Sequence, residues 1–118
     1  MVVQVEIQAG PEDRCLFEVS GRLDCASYPQ LQAQFDQVNW RQTRTLVLDL
    51  KALRHISSAG ICCILKARRD GMLQGGRLYL MNLQPQVHKT FAILKALPTE
   101  EIFSSQQEFE AFLAGSRS

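Results

Sequence analysis

The chain has 118 residues, 46% of them hydrophobic and 21% charged, which suits one domain around one core and excludes a disordered polymer. Thirteen Lys and Arg against twelve Asp and Glu give a net charge of +1, so no overall field selects nucleic acid or an anionic membrane. No apolar run approaches the roughly 20 residues of a membrane span, and MVVQVEIQAG lacks the basic and long apolar regions of a signal peptide. A cytoplasmic protein that neither enters a membrane nor binds nucleic acid directly is expected.

Val3, Val5 and Ile7 alternate with Gln4, Glu6 and Gln8, the period of a strand with one buried face. Gly10-Pro11-Glu12-Asp13 then reads as a turn. A second alternation sets Cys15, Phe17 and Val19 against Leu16, Glu18 and Ser20 and predicts an antiparallel hairpin that Gly21 ends. From Tyr28 the step changes to three and four, through Leu31, Phe35 and Val38, as on one side of a helix. Ser27 stands at its N-cap position and Pro29 in its first turn. Trp40 and Arg41 are expected as a surface anchor and turn.

Thr45–Leu50, TLVLDL, is the run of a strand covered on both faces and so the central one. A helix is expected from Ser58–Gly60, with Ile61, Ile64, Leu65 and Met72 sharing its inner face and Lys66, Arg68 and Arg69 on a solvated one. Gly75-Gly76 stops it. Arg77–Leu83 reads as a strand, and Gln84-Pro85 opens a helix with Val87, Phe91 and Leu94 inward, ended by Pro98. A short extended piece at Glu101–Phe103 precedes a last helix carrying Phe109, Phe112 and Leu113.

The order is β-β-α-β-α-β-α-(β)-α. It predicts an α/β fold with a mixed sheet of four to five strands and about four helices, joined by right-handed crossovers. One domain is expected over 1–114, with a flexible tail over 115–118. A strand over Val3–Ile7 lies where a sheet edge would, in keeping with a monomer or weak dimer.

Cys15, Cys25, Cys62 and Cys63 lack the paired CxxC spacing of a zinc site and read as buried free thiols. No metal or cofactor is called for. His55 beside Ser57 and Ser58 does not make a nucleophile–base pair, since adjacent side chains do not normally face one another and no third group is evident. His88 has no partner in the pattern. The stretch LVLDLKALRHISSAGICCIL, Leu46–Leu65, is neither a phosphate-binding P-loop nor a nucleophile elbow. It offers a serine hydroxyl at a helix N-terminus, where free N–H groups and the positive end of the dipole favour negative charge.

The segment DLKALRHISSAGI, Gly21-Arg22-Leu23-Asp24 followed by Pro29, and the GGRL of Gly75–Leu78 followed by Pro85 together resemble the STAS domains, specifically the bacterial anti-sigma factor antagonists. The resemblance spans nearly the whole chain. It implies the STAS fold and reversible protein binding rather than catalysis. A serine at the start of the helix would be phosphorylated by a partner that is both anti-sigma factor and serine kinase, and a PP2C-type phosphatase would reverse this.

Anchored on Gly60 and Ile61, the acceptor falls on Ser58, with Ser57 second; Ser57 and Ala59 replace the Asp and the second hydroxyl residue of the commoner pattern. The partner surface would comprise Asp24, Ser57, Ser58, Ala59, Gly60 and Ile61. The basic group Lys66, Arg68 and Arg69 would border it. Plainer roles stand beside these: Ser58 as an N-cap, Asp24 as a cap or turn-former, Asp49 as a structural carboxylate. A scaffold subunit of a lipid or anion transport complex is the alternative reading.

Overall fold

The computed structural model describes residues 3–10, 13–95 and 101–116. The elements are β1 (Gln4–Ala9), β2 (Arg14–Leu23), α1 (Tyr28–Asp36), β3 (Thr45–Asp49), β4 (Leu53–Ile56), α2 (Ser58–Leu73), β5 (Arg77–Met81), α3 (Pro85–Leu94), β6 (Ile102–Phe103) and α4 (Gln106–Ser116). The order expected from the sequence is present with one addition, β4. The sheet runs β1-β2-β3-β5-β6, with β4 attached to β2 off this path. β1 pairs antiparallel to β2; every other pairing is parallel.

β3 is central, and its alternation divides the interior. Leu46 and Leu48 join a large core with Phe17, Val19, Leu78 and Leu80 of the sheet and the inner faces of α1, α2 and α3, among them Leu31, Phe35, Ile64, Val87 and Phe91. Val47 points the other way, into a smaller cluster with Met81, Phe103 and Phe109. Three helices therefore cover one face of the sheet and α4 covers part of the other. α4 is started by Ser105, whose hydroxyl accepts from Glu108 N at 3.1 Å, while Glu108 accepts from the Ser104 hydroxyl at 2.7 Å, a near capping box.

Several placements differ from the pattern reading, each for a packing reason. β2 does not stop at Gly21. It bulges there, at φ +95°, and continues to Leu23 alongside β4. Ile7 is 49% exposed, because β1 is an edge strand that pairs only with β2. On α2 the inward residues are Gly60, Ile61, Cys63, Ile64, Ala67 and Gly71, whereas Met72 faces water. Leu94 is exposed at the end of α3.

Cys63 is buried, but Cys25 and Cys62 are exposed and Cys15 is half-buried; all four are free. Burial pushes the Cys63 thiol up to about 11. Arg68 is no solvated residue: its guanidinium holds Glu101 through two bonds of 2.7 Å and ties α2 to the segment entering β6. α4 continues through Ser116, two residues into the expected tail. Pro11, Glu12, Pro98 and residues 117–118, on which other expectations fell, lie outside the described residues.

Trp40 is a core residue, not a surface anchor, at 5% exposure. Its indole lies against two glycines: a Cβ on Gly71 would sit 2.6 Å from Trp40 Cη2, and one on Gly76 2.5 Å from Cε3. The end of α2 and the start of β5 thus close on one ring. Replacing glycine by alanine inside a helix ordinarily stabilises by about 0.5–1 kcal/mol. Here Gly71→Ala should instead lose about 1–3 kcal/mol through overpacking, read as a lower urea midpoint with an unchanged m-value.

Candidate functional site

The site is built where β2 and β4 end together. Leu23 pairs with Ile56, and Ser57 N donates to Leu23 O at 2.9 Å. The chain that leaves β2 at Asp24 and the chain that enters α2 at Ser57 are thereby held side by side. β4 is fastened from below by α3, where Gln86 Nε2 donates to Arg54 O at 2.6 Å. The sequence signal for β4 was weak: LRHI is four residues with buried ends and a polar middle, too short to show a period.

Gly60 sets how closely α2 approaches. A Cβ there would lie 2.8 Å from Leu23 Cγ, 2.9 Å from Ile56 Cγ1 and 2.9 Å from Leu23 O. Backbone and two core side chains fill that space, so only glycine lets the first turn of α2 sit on the β2–β4 ends. Ile61, also buried, anchors the same turn from inside.

Ser57 is the N-cap, extended at φ −101°, ψ 175°, and it makes no side-chain cap bond. Its Oγ is buried and has no hydrogen-bond partner. Ser58 occupies the next position, the first of the helix, and is exposed; Ala59 is half-buried. The N–H groups of Ser58, Ala59 and Gly60 belong to the first turn and have no acceptor within the helix. An exposed serine therefore stands at the positive end of a 16-residue helix.

The Asp24 loop is a closed hydrogen-bonded turn. Asp24 Oδ1 accepts from Ala26 N at 3.0 Å and Ser27 N at 3.1 Å. The Ser27 hydroxyl accepts from Asp24 N at 3.0 Å and shares its proton between Arg22 O at 2.7 Å and Asp24 Oδ1 at 3.1 Å. Ser27 is thus buried as the anchor of this loop rather than as the side-chain cap of α1, and the Asp-x-x-Ser spacing was its only sequence trace. Desolvation acts to raise the Asp24 carboxyl, but the bonds from Ala26 and Ser27 and the charge of Arg22 outweigh it and hold the group below its ordinary value.

Asp49 has a structural place. It is 5% exposed, and its Oδ1 accepts from Lys51 N at 3.1 Å and Asn82 Nδ2 at 3.2 Å, while Oδ2 stands 3.6 Å from Lys51 Nζ. It ties the end of β3 to the end of β5. His55 pairs in register with Arg22, on the strand position before Ile56, and the described residues give it no base-like contact with Ser58. Lys66 is taken up by Asp70 at 3.3 Å. Among the described residues, no group of three His, Cys, Asp or Glu is placed to hold a metal ion, and no helix is long and apolar enough to cross a membrane.

Two substitutions test this geometry. Removing an N-cap serine usually costs about 0.5–2 kcal/mol, but the Ser57 hydroxyl makes no cap bond and is buried unpaired. Ser57→Ala should therefore leave the thermal midpoint unchanged or raise it. Because the folded Asp24 carboxyl lies below its unfolded value, its contribution is fully present at neutral pH and is lost as pH falls through the folded value. Asp24→Asn should thus be less stable than the parent at pH 7, and the difference should shrink in acid, as followed by denaturation at a series of pH values.

A sequence description of the STAS domain matches residues 3–109. A search among curated proteins by sequence found no match. By structure, the chain is similar to the Bacillus cell fate determinant SpoIIAA in its phosphorylated form, with a TM-score of 0.72 at 17% identity over 93% of this chain and 99% of that one. It is similar to a putative anti-sigma factor antagonist from Thermotoga maritima, with a TM-score of 0.78 at 14% identity over 91% and 92% of the two chains. It also matches the murine Slc26a9 anion transporter, with a TM-score of 0.74 at 15% identity over 88% of this chain but 18% of the transporter. At these identities the likeness carries the fold.

Proposed function

The chain belongs to the STAS domain family, and on that footing we propose that it is a phosphorylation-controlled binding module of the anti-sigma factor antagonist type. Unphosphorylated, it binds a serine-kinase anti-sigma partner through Asp24, Ser57, Ser58, Ala59, Gly60 and Ile61. The partner phosphorylates Ser58 and is released, and a PP2C-type phosphatase resets the module in the cytoplasm. The observation that carries this reading is the contrast between neighbours: Ser58 is exposed at the head of α2, while the Ser57 hydroxyl is buried. A kinase reaches the first and not the second.

The physical consequence of the modification is local. Phosphate adds roughly −1.5 to −2 charge at neutral pH. At the head of α2 that charge meets free N–H groups and the positive end of the dipole, so the domain stays folded. Inside an interface the same group must be desolvated against the partner's surface, which is unfavourable unless the partner supplies matching cations. Binding is switched without a change of fold.

A scaffold role in an anion-transport assembly is the second reading, favoured by the likeness to Slc26a9. One experiment separates the two. Incubation with a candidate kinase and ATP should place a single phosphate on Ser58, located by mass spectrometry, and Ser58→Ala should abolish it. The phosphorylated protein should keep its thermal midpoint within a few degrees yet bind the kinase at least about tenfold more weakly. Phosphate on Ser57, or recovery only with a membrane transporter and never with a kinase, would contradict the assignment.

A further inference from the structure

Strand β1 is an edge of the sheet, and its free side is unguarded. It pairs with β2 from Gln4 opposite Ser20 to Ala9 opposite Cys15, without a bulge. Edge strands are commonly blunted by lysine, proline or a bulge. QVEIQA has none of these, and its one charge is Glu6.

The turn sets the phase of the hydrogen bonds. Gly10 N donates to Arg14 O at 2.8 Å, and since these two residues continue the register of β1 and β2, they form a hydrogen-bonded pair of the ladder. Such pairs alternate along an antiparallel ladder, so Gln8, Glu6 and Gln4 turn their N–H and C=O groups toward β2. Val5, Ile7 and Ala9 turn theirs outward, where no strand among the described residues takes them up. The same three side chains lie on the face of the sheet that carries Phe17 and Val19; there Val5 is half-buried and Ile7 is 49% exposed. On the opposite face Gln8 Nε2 donates to Glu18 Oε1. A side-chain amide carries two N–H donors, and the second has no acceptor among the described residues. Glu6, two residues before it, has no partner among them either.

We propose that this edge pairs antiparallel with β1 of a second copy of the chain, about a two-fold axis at Ile7. Ile7 then faces Ile7 of the second copy and Val5 faces its Ala9, and each pair exchanges both N–H···O bonds because these are the residues whose backbone points outward. Between them Glu6 faces Gln8 of the second copy and accepts its spare amide proton. The neighbouring registers are poorer. An axis at Glu6 sets the two Glu6 carboxylates directly opposite one another in the close, non-hydrogen-bonded arrangement, which is destabilising. An axis at Val5 places Ile7 against Val3, which is already only 3% exposed, and leaves Ala9 unpaired. The axis at Ile7 covers the exposed isoleucines with each other, and the contact is self-complementary as a two-fold requires. The contact is small, so the dimer is a weak one that forms as concentration rises.

The edge shares no residue with the proposed switch, so its test stands apart from phosphorylation. Sedimentation equilibrium of the full chain over a range of concentrations should show reversible association to a dimer and no further. Ile7→Lys and Ile7→Glu each set like charges face to face at the axis and should each weaken the dimer at least about tenfold. An equimolar mixture of the two variants should recover it, because opposite charges then meet. Hydrogen exchange in the parent checks the phase without any variant: on concentration the amides of Val5, Ile7 and Ala9 should gain protection, whereas those of Glu6 and Gln8, already bonded to β2, should not. A parent that stays monomeric, a mixture no better than its components, or protection gained at Glu6 and Gln8 instead would each overturn the proposal. A monomeric parent that takes up an extended peptide along β1 would overturn it in favour of a different strand as occupant.

Discussion

Strand β2 has two parallel partners in succession, and the site depends on that exchange. From Arg14 to Glu18 it runs beside β3; from Gly21 to Leu23 it runs beside β4. The change of partner falls at Gly21, where φ is +95° and the N–H is given to Ala52 O at 3.1 Å. Few residues other than glycine adopt that conformation without strain. Past the bulge, Leu23 offers its carbonyl to Ser57 and its side chain to the face of Gly60. The head of α2 and the Asp24 loop are therefore positioned by one backbone irregularity rather than by contacts between their own side chains.

This arrangement explains why the site is firm without being buried. Asp24 and Ser27 satisfy each other and the backbone around them, so the loop holds its shape with its outer surface free. Ser58 is exposed, but the turn that bears it is pinned by Gly60 and Ile61 beneath. A chain of net charge +1 becomes slightly negative on gaining a phosphate of roughly −1.5 to −2. On such a balanced surface, a single modification can set the sign of the local potential.

The sequence disclosed those parts of the fold where one side chain in two or in three to four is buried. The hairpin of β1 and β2 and the stripes of α1 and α3 are of this kind, β3 stood out as an unbroken apolar run, and the motif around Gly60 pointed to the candidate site. What stayed hidden depended on distant partners. LRHI became a strand only because β2 bulges toward it. Trp40 is buried because Gly71 and Gly76, some thirty residues later, leave room for its ring. Arg68 reads as a solvated cation until Glu101 arrives through the chain after α3. Which of two adjacent serines shows its hydroxyl is a matter of one backbone torsion at the N-cap, and no pattern of residue types records that.

The division of the interior by β3 has a thermodynamic side. Leu46 and Leu48 feed one core and Val47 the other, so the layer under α2 and the layer under α4 meet through the backbone of the sheet. Cooperative units in proteins tend to follow such boundaries. α4 packs on the smaller cluster through Phe109 and Leu113 and reaches β2 through the Arg14–Glu110 pair, apart from the larger core. A local opening of α4 would then expose the smaller cluster and leave the β2–β4 junction packed.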